Sequence, residues 1–497
     1  MRALLLALLL LVALLPAGDA LNIGARSILA RPSEEYSPNT AWEQGAYGCG
    51  VTIAVFDEGV DDKHPLLDGK VVAGVDVTAT APLQAVLFPN NPQPLVGSHG
   101  TPVAGLATSH GGQFFTKPDQ APQYADDELV GVAPCAWMVD VMFNDVQGAS
   151  SAEMVSAFEW AIAHQHDDWG DADASNDGIE LITMSWSPED GTDGSDALSQ
   201  AANRAVEAGI VVLGSMGNSG PDYQPWGTPA AADLTLGIAA LFDERTVTRD
   251  DDHFIDYSTP GPRPDDGDDD PYDEMKPDVA SPAHNVVGPA PSNLDGREYG
   301  LVCFGDPTGT GQRGLPTDCT TVFGGTSAAT PMTAGVVALI LSANPALTPA
   351  DVKEILHQSA DPHPNQRPQF PFLNAQYNRT YGWGMTNAYQ AVVMAKAWPG
   401  IELGKDTDSD GVRDFQDAAP RDPAVRTLVN SDGVPVVTDP ASPVDTDGDG
   451  IPDAQDAAPL DPLNAQPAGT SSNRGTPGLG LVVLVGLVGL LAARRRA

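Results

Sequence analysis

Between Gly48 and Ala397 short apolar runs alternate with helical periods, and that alternation leaves the chain few folds to choose from. Val51–Phe56, Trp137–Phe143, Ile179–Met184, Ile210–Leu213 and Leu234–Ala239 are mainly apolar and of strand length, as strands covered on both faces must be. Between them, Ser151–His166 and Asp196–Ala208 have amphipathic helical spacing, the first with Ser150 and Glu153 at capping-box separation. Strands that alternate with helices predict an α/β fold of three layers, with a mainly parallel central sheet between two layers of helices. In such sheets ligands bind beyond the carboxyl ends of the strands, so chemistry is sought there. A long helix starts near Ser327 and must stop or bend before Pro345, and Thr348-Pro349 opens another. Pro331 is expected in the first turn of the long helix, where its missing N–H costs least.

Three motifs fall at predicted strand or helix ends. Val55-Phe56-Asp57-Glu58-Gly59 puts an aspartate where an apolar strand stops. Ser98-His99-Gly100-Thr101-Pro102 opens a small-residue helix with a histidine. Gly324-Gly325-Thr326-Ser327-Ala328-Ala329-Thr330-Pro331 places a serine after a Gly-Gly turn at a helix start. A serine hydroxyl is a weak nucleophile at neutral pH and needs a base beside it. Histidine suits that task because its pKa lies near working pH, and a buried carboxylate fixes its tautomer and stabilises the imidazolium. A fourth motif, Gly214-Ser215-Met216-Gly217-Asn218-Ser219-Gly220, follows the strand at Ile210–Leu213, where an amide can donate to a developing oxyanion.

The order Asp57, His99, Ser327, with Asn218 between the last two, resembles the subtilase superfamily across about residues 40–397. Gly131-Val132-Ala133-Pro134, Lys276-Pro277-Asp278-Val279-Ala280-Ser281-Pro282 and Tyr381-Gly382-Trp383-Gly384-Met385 add to the likeness. The resemblance implies a subtilisin-like fold and a serine endopeptidase that cleaves protein or peptide substrates through an acyl-enzyme. Ser327 would be the nucleophile, His99 the base and then the acid, and Asp57 the orienting group. Asn218 and the Ser327 N–H would form the oxyanion hole. Two departures lean toward the kexin-like convertases: Glu58 follows the aspartate, and Ser185-Trp186-Ser187-Pro188-Glu189-Asp190 resembles a segment lining the primary specificity pocket, with Gly217 nearby. If Glu189 and Asp190 line that pocket, they favour Arg or Lys before the scissile bond, because a desolvated charge needs a partner. The contexts of His99 and Asn218, which look more like those of subtilisins, favour reading them as an exposed acidic loop instead. The alternative to an enzyme is a surface binding or adhesion protein built on an inactive scaffold of this family.

The rest of the sequence concerns where such a protein resides. Residues 1–20 have Arg2, an Ala/Leu/Val run and a small-residue exit, the pattern of a secretory signal peptide cleaved after Ala20. Residues 21–39 are expected to be a short extension before a peptidase domain at 40–400, leaving about 25 residues before the first strand, fewer than the propeptides usual in the family. Export makes Cys49, Cys135, Cys303 and Cys319 disulfide candidates. Cys303 with Cys319 would close one short loop and leave Cys49 with Cys135, one of three pairings four cysteines allow. The net charge of −42 excludes a nucleic-acid-binding face, which must be basic.

After Gly404 aspartate, glycine and proline dominate. Asp406, Asp408, Asp410, Asp414 and Asp417 recur as Asp445, Asp447, Asp449, Asp453 and Asp456, each set with glycine at the sixth position of a twelve-residue loop. With the carbonyls of Val412 and Ile451 at the seventh position, both loops have oxygen donors spaced for structural Ca²⁺. No amphipathic helices flank them, so residues 401–464 resemble thrombospondin type 3 repeats rather than an EF-hand pair. A Pro/Ser/Gly-rich linker at 465–477 precedes an apolar stretch, Gly478 to Ala493, capped by Arg494, Arg495 and Arg496. As a helix this stretch spans roughly 24 Å, short of a hydrocarbon core of about 30 Å. It is expected as a transmembrane helix with its arginines inside, or as a tag resembling bacterial carboxy-terminal sorting signals, cut by a sorting peptidase. Either way the bulk of the protein is expected outside the cell.

Overall fold

In the computed structural model the described residues are 19–398, 427–429 and 435–437, except 79–85, 88–98, 126–127, 144–149, 171–172, 187, 189–190, 222–226, 268–272, 292–301, 304–318 and 363–376. The chain forms two compact units, Met1–Thr438 and Asp439–Ala497, and every described residue lies in the first.

The first unit is built on one nine-stranded sheet. Its strands are β1 (Thr52–Asp57), β2 (Val71–Asp76), β3 (Val86–Leu87), β4 (Trp137–Met142), β5 (Leu181–Met184), β6 (Val211–Ser215), β7 (Leu236–Phe242), β8 (His253–Phe254) and β9 (Val279–Pro282). They run in the order β3-β2-β4-β1-β5-β6-β7-β8, with β9 also paired to β7. All pairings are parallel except those of β3 and β8. The five strands read from the apolar runs, β1 and β4 to β7, are therefore the middle of the sheet. The chain leaves β1 toward β2 and β4 on one side and then fills β5 to β7 on the other. The carboxyl end of β1 thus lies where the winding reverses, the usual place for a ligand crevice.

Alternation along each strand explains the layers. On β1, Ile53 and Val55 point into one core while Ala54 and Phe56 point into the other. The first core is covered by α2 (Gly100–Thr108) and α5 (Thr326–Ala343), the second by α3 (Ser151–Ala163) and α4 (Ala197–Glu207). The expected caps form: Ser150 and Glu153 bond reciprocally at the start of α3, and Asp196 accepts from Leu198 and Ser199 N–H at the start of α4. Thr348 and Asp351 form a second reciprocal cap for α6 (Pro349–Ser359), and α7 (Ala388–Ala397) is the last of the described helices.

Three details differ from, or add to, the sequence reading. Pro331 is the sixth residue of α5, not in its first turn. Its ring nitrogen leaves the Ser327 carbonyl without the usual i→i−4 donor, and the Ser185 hydroxyl donates to that carbonyl at 3.0 Å instead. The helix keeps its course because a side chain supplies the bond the backbone cannot. Second, the segment expected as a short extension packs into the first core. A first helix, α1 (Asp19–Ser27), runs across the expected cleavage point, Ala25, Ile28 and Ala30 are buried, and the Arg31 guanidinium donates to the carbonyls of Ala125 and Glu128. Third, α5 is the one described helix long and apolar enough to cross a membrane, and it is buried as the central core helix.

A small antiparallel sheet of β10 (Val286–Pro289), β11 (Val302–Cys303) and β12 (Cys319–Phe323) flanks the site, and its register sets Cys303 opposite Cys319. Cys49 and Cys135 form a disulfide. β13 (Thr427–Val429) pairs antiparallel with β14 (Pro435–Val437). The residues expected to bind calcium, the terminal apolar stretch and residues 1–18 lie outside the described residues.

Candidate active site

Asp57 is the last residue of β1 and is almost fully buried. Its Oδ1 accepts from the Glu58 N–H at 2.9 Å, which fixes the carboxylate at the strand end. His99 is the N-cap of α2, and its Nδ1 lies 3.0 and 2.9 Å from the two Asp57 carboxylate oxygens. That contact makes Nδ1 the protonated nitrogen of the neutral ring and leaves Nε2 to act as a base. Gly100 lets strand end and helix start meet: a Cβ there would lie 2.3 Å from the Gly59 carbonyl oxygen and 3.1 Å from the Asp57 Cβ. The Phe323 ring meets the imidazole edge-on at 5.1 Å between centroids.

Two effects oppose each other at His99. Burial disfavours the charged ring, whereas the charge and hydrogen bond of Asp57, aided by the charge of Glu58, favour it. The carboxylates win, and the imidazole is held above the usual histidine value.

Ser327 is the second residue of α5, after Gly325 at φ 88°, a left-handed conformation that suits glycine. Its hydroxyl donates to the Ser185 carbonyl at 3.0 Å, while the Ser185 hydroxyl donates to the Ser327 carbonyl. This reciprocal pair ties the nucleophile candidate to Ser185, so the hydroxyl must leave that carbonyl to bond His99 Nε2. At the second position of a helix the Ser327 N–H has no intrahelical acceptor, and among the described residues it has no other.

Asn218 comes from the loop after β6. Its Oδ1 accepts from the Thr326 N–H at 2.8 Å and from the Thr326 hydroxyl at 3.1 Å. Two donors on one side assign that side as oxygen and turn Nδ2 outward. His99, Ser327, Asn218, Ser185, Trp186 and Gly217 line a single cleft, together with Glu58 and Ser215. Seven of the sequence-selected residues are therefore gathered here, Asp57 beneath His99 and the other six on the cleft wall. Ser187, Glu189 and Asp190 lie outside the described residues. Sequence reasoning passed over Ser215 and Thr326, whose roles depend on contacts between distant segments, and treated Glu58 only as a departure from a motif.

Two carboxylate groups elsewhere have spacing suited to a cation. Asp233, Asp266 and Asp273 converge, but the buried Arg263 guanidinium is already among them, 2.8 Å from Asp233 and Asp273 and 3.3 Å from Asp266. Asp265, Asp266 and Glu274 form the second group beside it.

The geometry has counterparts in known proteins. The subtilase family model matches residues 48–384. Serine protease AprX of Bacillus subtilis is 30% identical over 352 residues, covering 69% of this chain and 66% of that protein. A calcium-dependent protease of Nostoc sp. is 28% identical over 401 residues, 75% of this chain and 50% of its own length. Subtilisin E of Bacillus subtilis is 27% identical over 320 residues, 64% of this chain and 62% of that protein. The chain thus spans between half and two thirds of these relatives. Among solved structures, fervidolysin from Fervidobacterium pennivorans shares the fold at a TM-score of 0.52 and 22% identity, over 74% of this chain and 45% of that one. A match that runs through all four motifs and well over half of the sequence is decisive: the chain belongs to the subtilase family.

Proposed function

We propose that this protein hydrolyses internal peptide bonds, with Ser327 as nucleophile, His99 as general base and then acid, and Asp57 as the group that orients the imidazole. The observation that carries the reading is the Asp57–His99 hydrogen bond at 2.9 Å beneath a cleft that also holds Ser327 and Asn218. On substrate binding the Ser327 hydroxyl leaves the Ser185 carbonyl and gives its proton to His99 Nε2 as Oγ attacks the scissile carbonyl carbon. The negative charge that develops on the carbonyl oxygen is met by Asn218 Nδ2 and the Ser327 N–H, aided by the positive end of α5. Protonated His99 then hands its proton to the leaving amine. A water, deprotonated by the same ring, attacks the acyl-enzyme and restores Ser327.

The surrounding segments complete the proposal. Residues 1–20 direct export, 40–400 form the peptidase domain with 21–39 packed into its core, and 401–464 bind structural Ca²⁺ through Asp406, Asp408, Asp410, Asp414 and Asp417 and their counterparts from Asp445 to Asp456. A calcium-dependent relative and the oxygen-only donor set support the choice of ion. The linker at 465–477 joins them to a helix that anchors or sorts the protein at the cell surface. If the loops bind calcium, chelation exposes 405–462 to added protease; digestion that is the same with and without the chelator refutes this part.

The catalytic reading is tested by hydrolysis of a protein substrate with the full chain and with Ser327→Ala. A loss of about 10⁶ in turnover is expected, the size known for the corresponding serine of subtilisin, a relative. Equal rates for both proteins would reduce the cleft to an inert scaffold.

A further inference from the structure

Glu58 stands in the cleft wall beside His99, and its carboxylate oxygen Oε1 accepts from the His99 N–H at 2.7 Å. The residue therefore touches the backbone of the base, while its neighbour Asp57 touches the ring. His99 caps α2 without a side-chain capping bond, so its N–H and those of the first turn present the positive end of that helix. Alone, that end opposes a positive charge on the imidazole. A carboxylate on the same N–H cancels it.

The groups that face His99 from each packed element are few. Asp57 and Glu58 come from the end of β1, the neutral Phe323 from β12, and the neutral Ser327 from α5. Among the described residues the charges acting on the ring are those of the two successive carboxylates, and both favour the protonated form. The two successive carboxylates reach the same residue by different atoms, Asp57 at the ring Nδ1 and Glu58 at the backbone N–H.

We propose that Glu58 is a positioning residue for His99: it anchors the backbone N–H of the base and supplies a second negative charge that stabilises the imidazolium formed during catalysis. The inference rests on the catalytic reading above. Glutamate here has two separable effects, a hydrogen-bond acceptor for placement and a charge for ionisation. The cost is an acid limb at higher pH, because a base whose protonated form is stabilised is lost to protons sooner.

The two effects are separated by measuring kcat/KM against pH, and the rate of inactivation by a fluorophosphonate against pH, for the full chain with Glu58, Glu58→Gln and Glu58→Leu. Gln keeps an acceptor oxygen and removes the charge. Its acid limb moves to lower pH by about half a unit to one unit, so well below that limb it keeps roughly three- to tenfold more of its plateau activity than wild type. Its plateau stays within about threefold of wild type, whereas Leu, which lacks the acceptor, loses about tenfold or more at the plateau and shows the same limb shift. Glu58→Ser, a second neutral acceptor, moves the limb in the same direction. Limbs for Gln and Ser that coincide with wild type within about 0.2 unit overturn the charge role. A Leu plateau equal to that of Gln overturns the anchoring role. Absence of hydrolysis and labelling in wild type would instead refute the catalytic reading, so the two failures are distinguishable.

Discussion

Gly100 offers the sharpest test of how the site is assembled, because it is where β1 and α2 approach most closely. A Cβ in Gly100→Ala would lie 2.3 Å from the Gly59 carbonyl oxygen, whereas carbon and oxygen normally stay about 3.3 Å apart, so something must yield by about 1 Å. The obstacle is backbone, not a side-chain tip that can swing away. Either the Gly59 turn or the start of α2 moves, and each carries one partner of the Asp57–His99 bond. Adding about 1 Å to a 2.9 Å contact takes it past hydrogen-bond range. A displacement of that size is expected to lower kcat/KM about 10²-fold. Stability should respond far less: overpacking costs about 1–3 kcal/mol, while alanine regains up to about 1 kcal/mol of helix propensity. The assay is steady-state cleavage of a chromogenic peptide, with thermal melts confirming that the variant is folded. A folded Gly100→Ala protein with activity within threefold of wild type would refute the claim that this close approach holds the triad.

The remaining predictions concern the supports of the site and the core. Ser185→Ala strands the buried Ser327 carbonyl and should cost about 1–3 kcal/mol; Pro331→Ala, which restores a backbone donor, should recover part of that loss, and strict additivity in the double-mutant cycle would count against the pairing. Replacing Cys49 and Cys135 with serine opens a link across 86 residues, for which chain entropy gives about 4–5 kcal/mol, or about 5 °C in Tm for a domain of this size; a change under about 1 °C would contradict it. Lys70 is buried, donates to the carbonyls of Pro134 and Ala136, and burial lowers its pKa from 10.5 to about 7. Between those two values the unfolded chain binds the extra proton, so this lysine makes stability rise with pH across that window by up to about 1.4 kcal/mol per unit. Lys70→Met should flatten the slope measured by urea melts at pH 7.5 and 9.5, and an unchanged slope refutes the assignment.

What the sequence discloses follows from the range of the interactions. The central strands are legible because both faces are covered, so their apolar runs are nearly continuous; Ile53 and Phe56 enter different cores, yet both must be apolar. The caps at Ser150, Asp196 and Thr348 are local and equally legible. Strand β2 is not legible locally, since Gly74 within Val71–Asp76 and Asp76 at its end look like a turn until β4 pairs with it. The N-terminal segment looked like an extension because its burial depends on partners such as Ala388, whose N–H donates to the Ile28 carbonyl across the whole domain. Pro331 reads as a first-turn residue from sequence alone because its tolerance one turn later derives from Ser185, far away in the chain. The candidate site was legible as four motifs, since each carries its own turn chemistry. The second carboxylate at His99 became a functional feature only when the fold brought Glu58 to the N–H of a residue 41 positions later.

The central claim is that Ser327, and no other serine, is made nucleophilic by His99 and Asp57. The direct measurement is to treat the full chain with a fluorophosphonate and locate the adduct by peptide mass mapping, beside His99→Ala and Ser327→Ala. One stoichiometric adduct is expected, on Ser327, formed orders of magnitude more slowly in His99→Ala and absent in Ser327→Ala. An adduct on a different serine, or equal labelling of the His99→Ala protein, would contradict it.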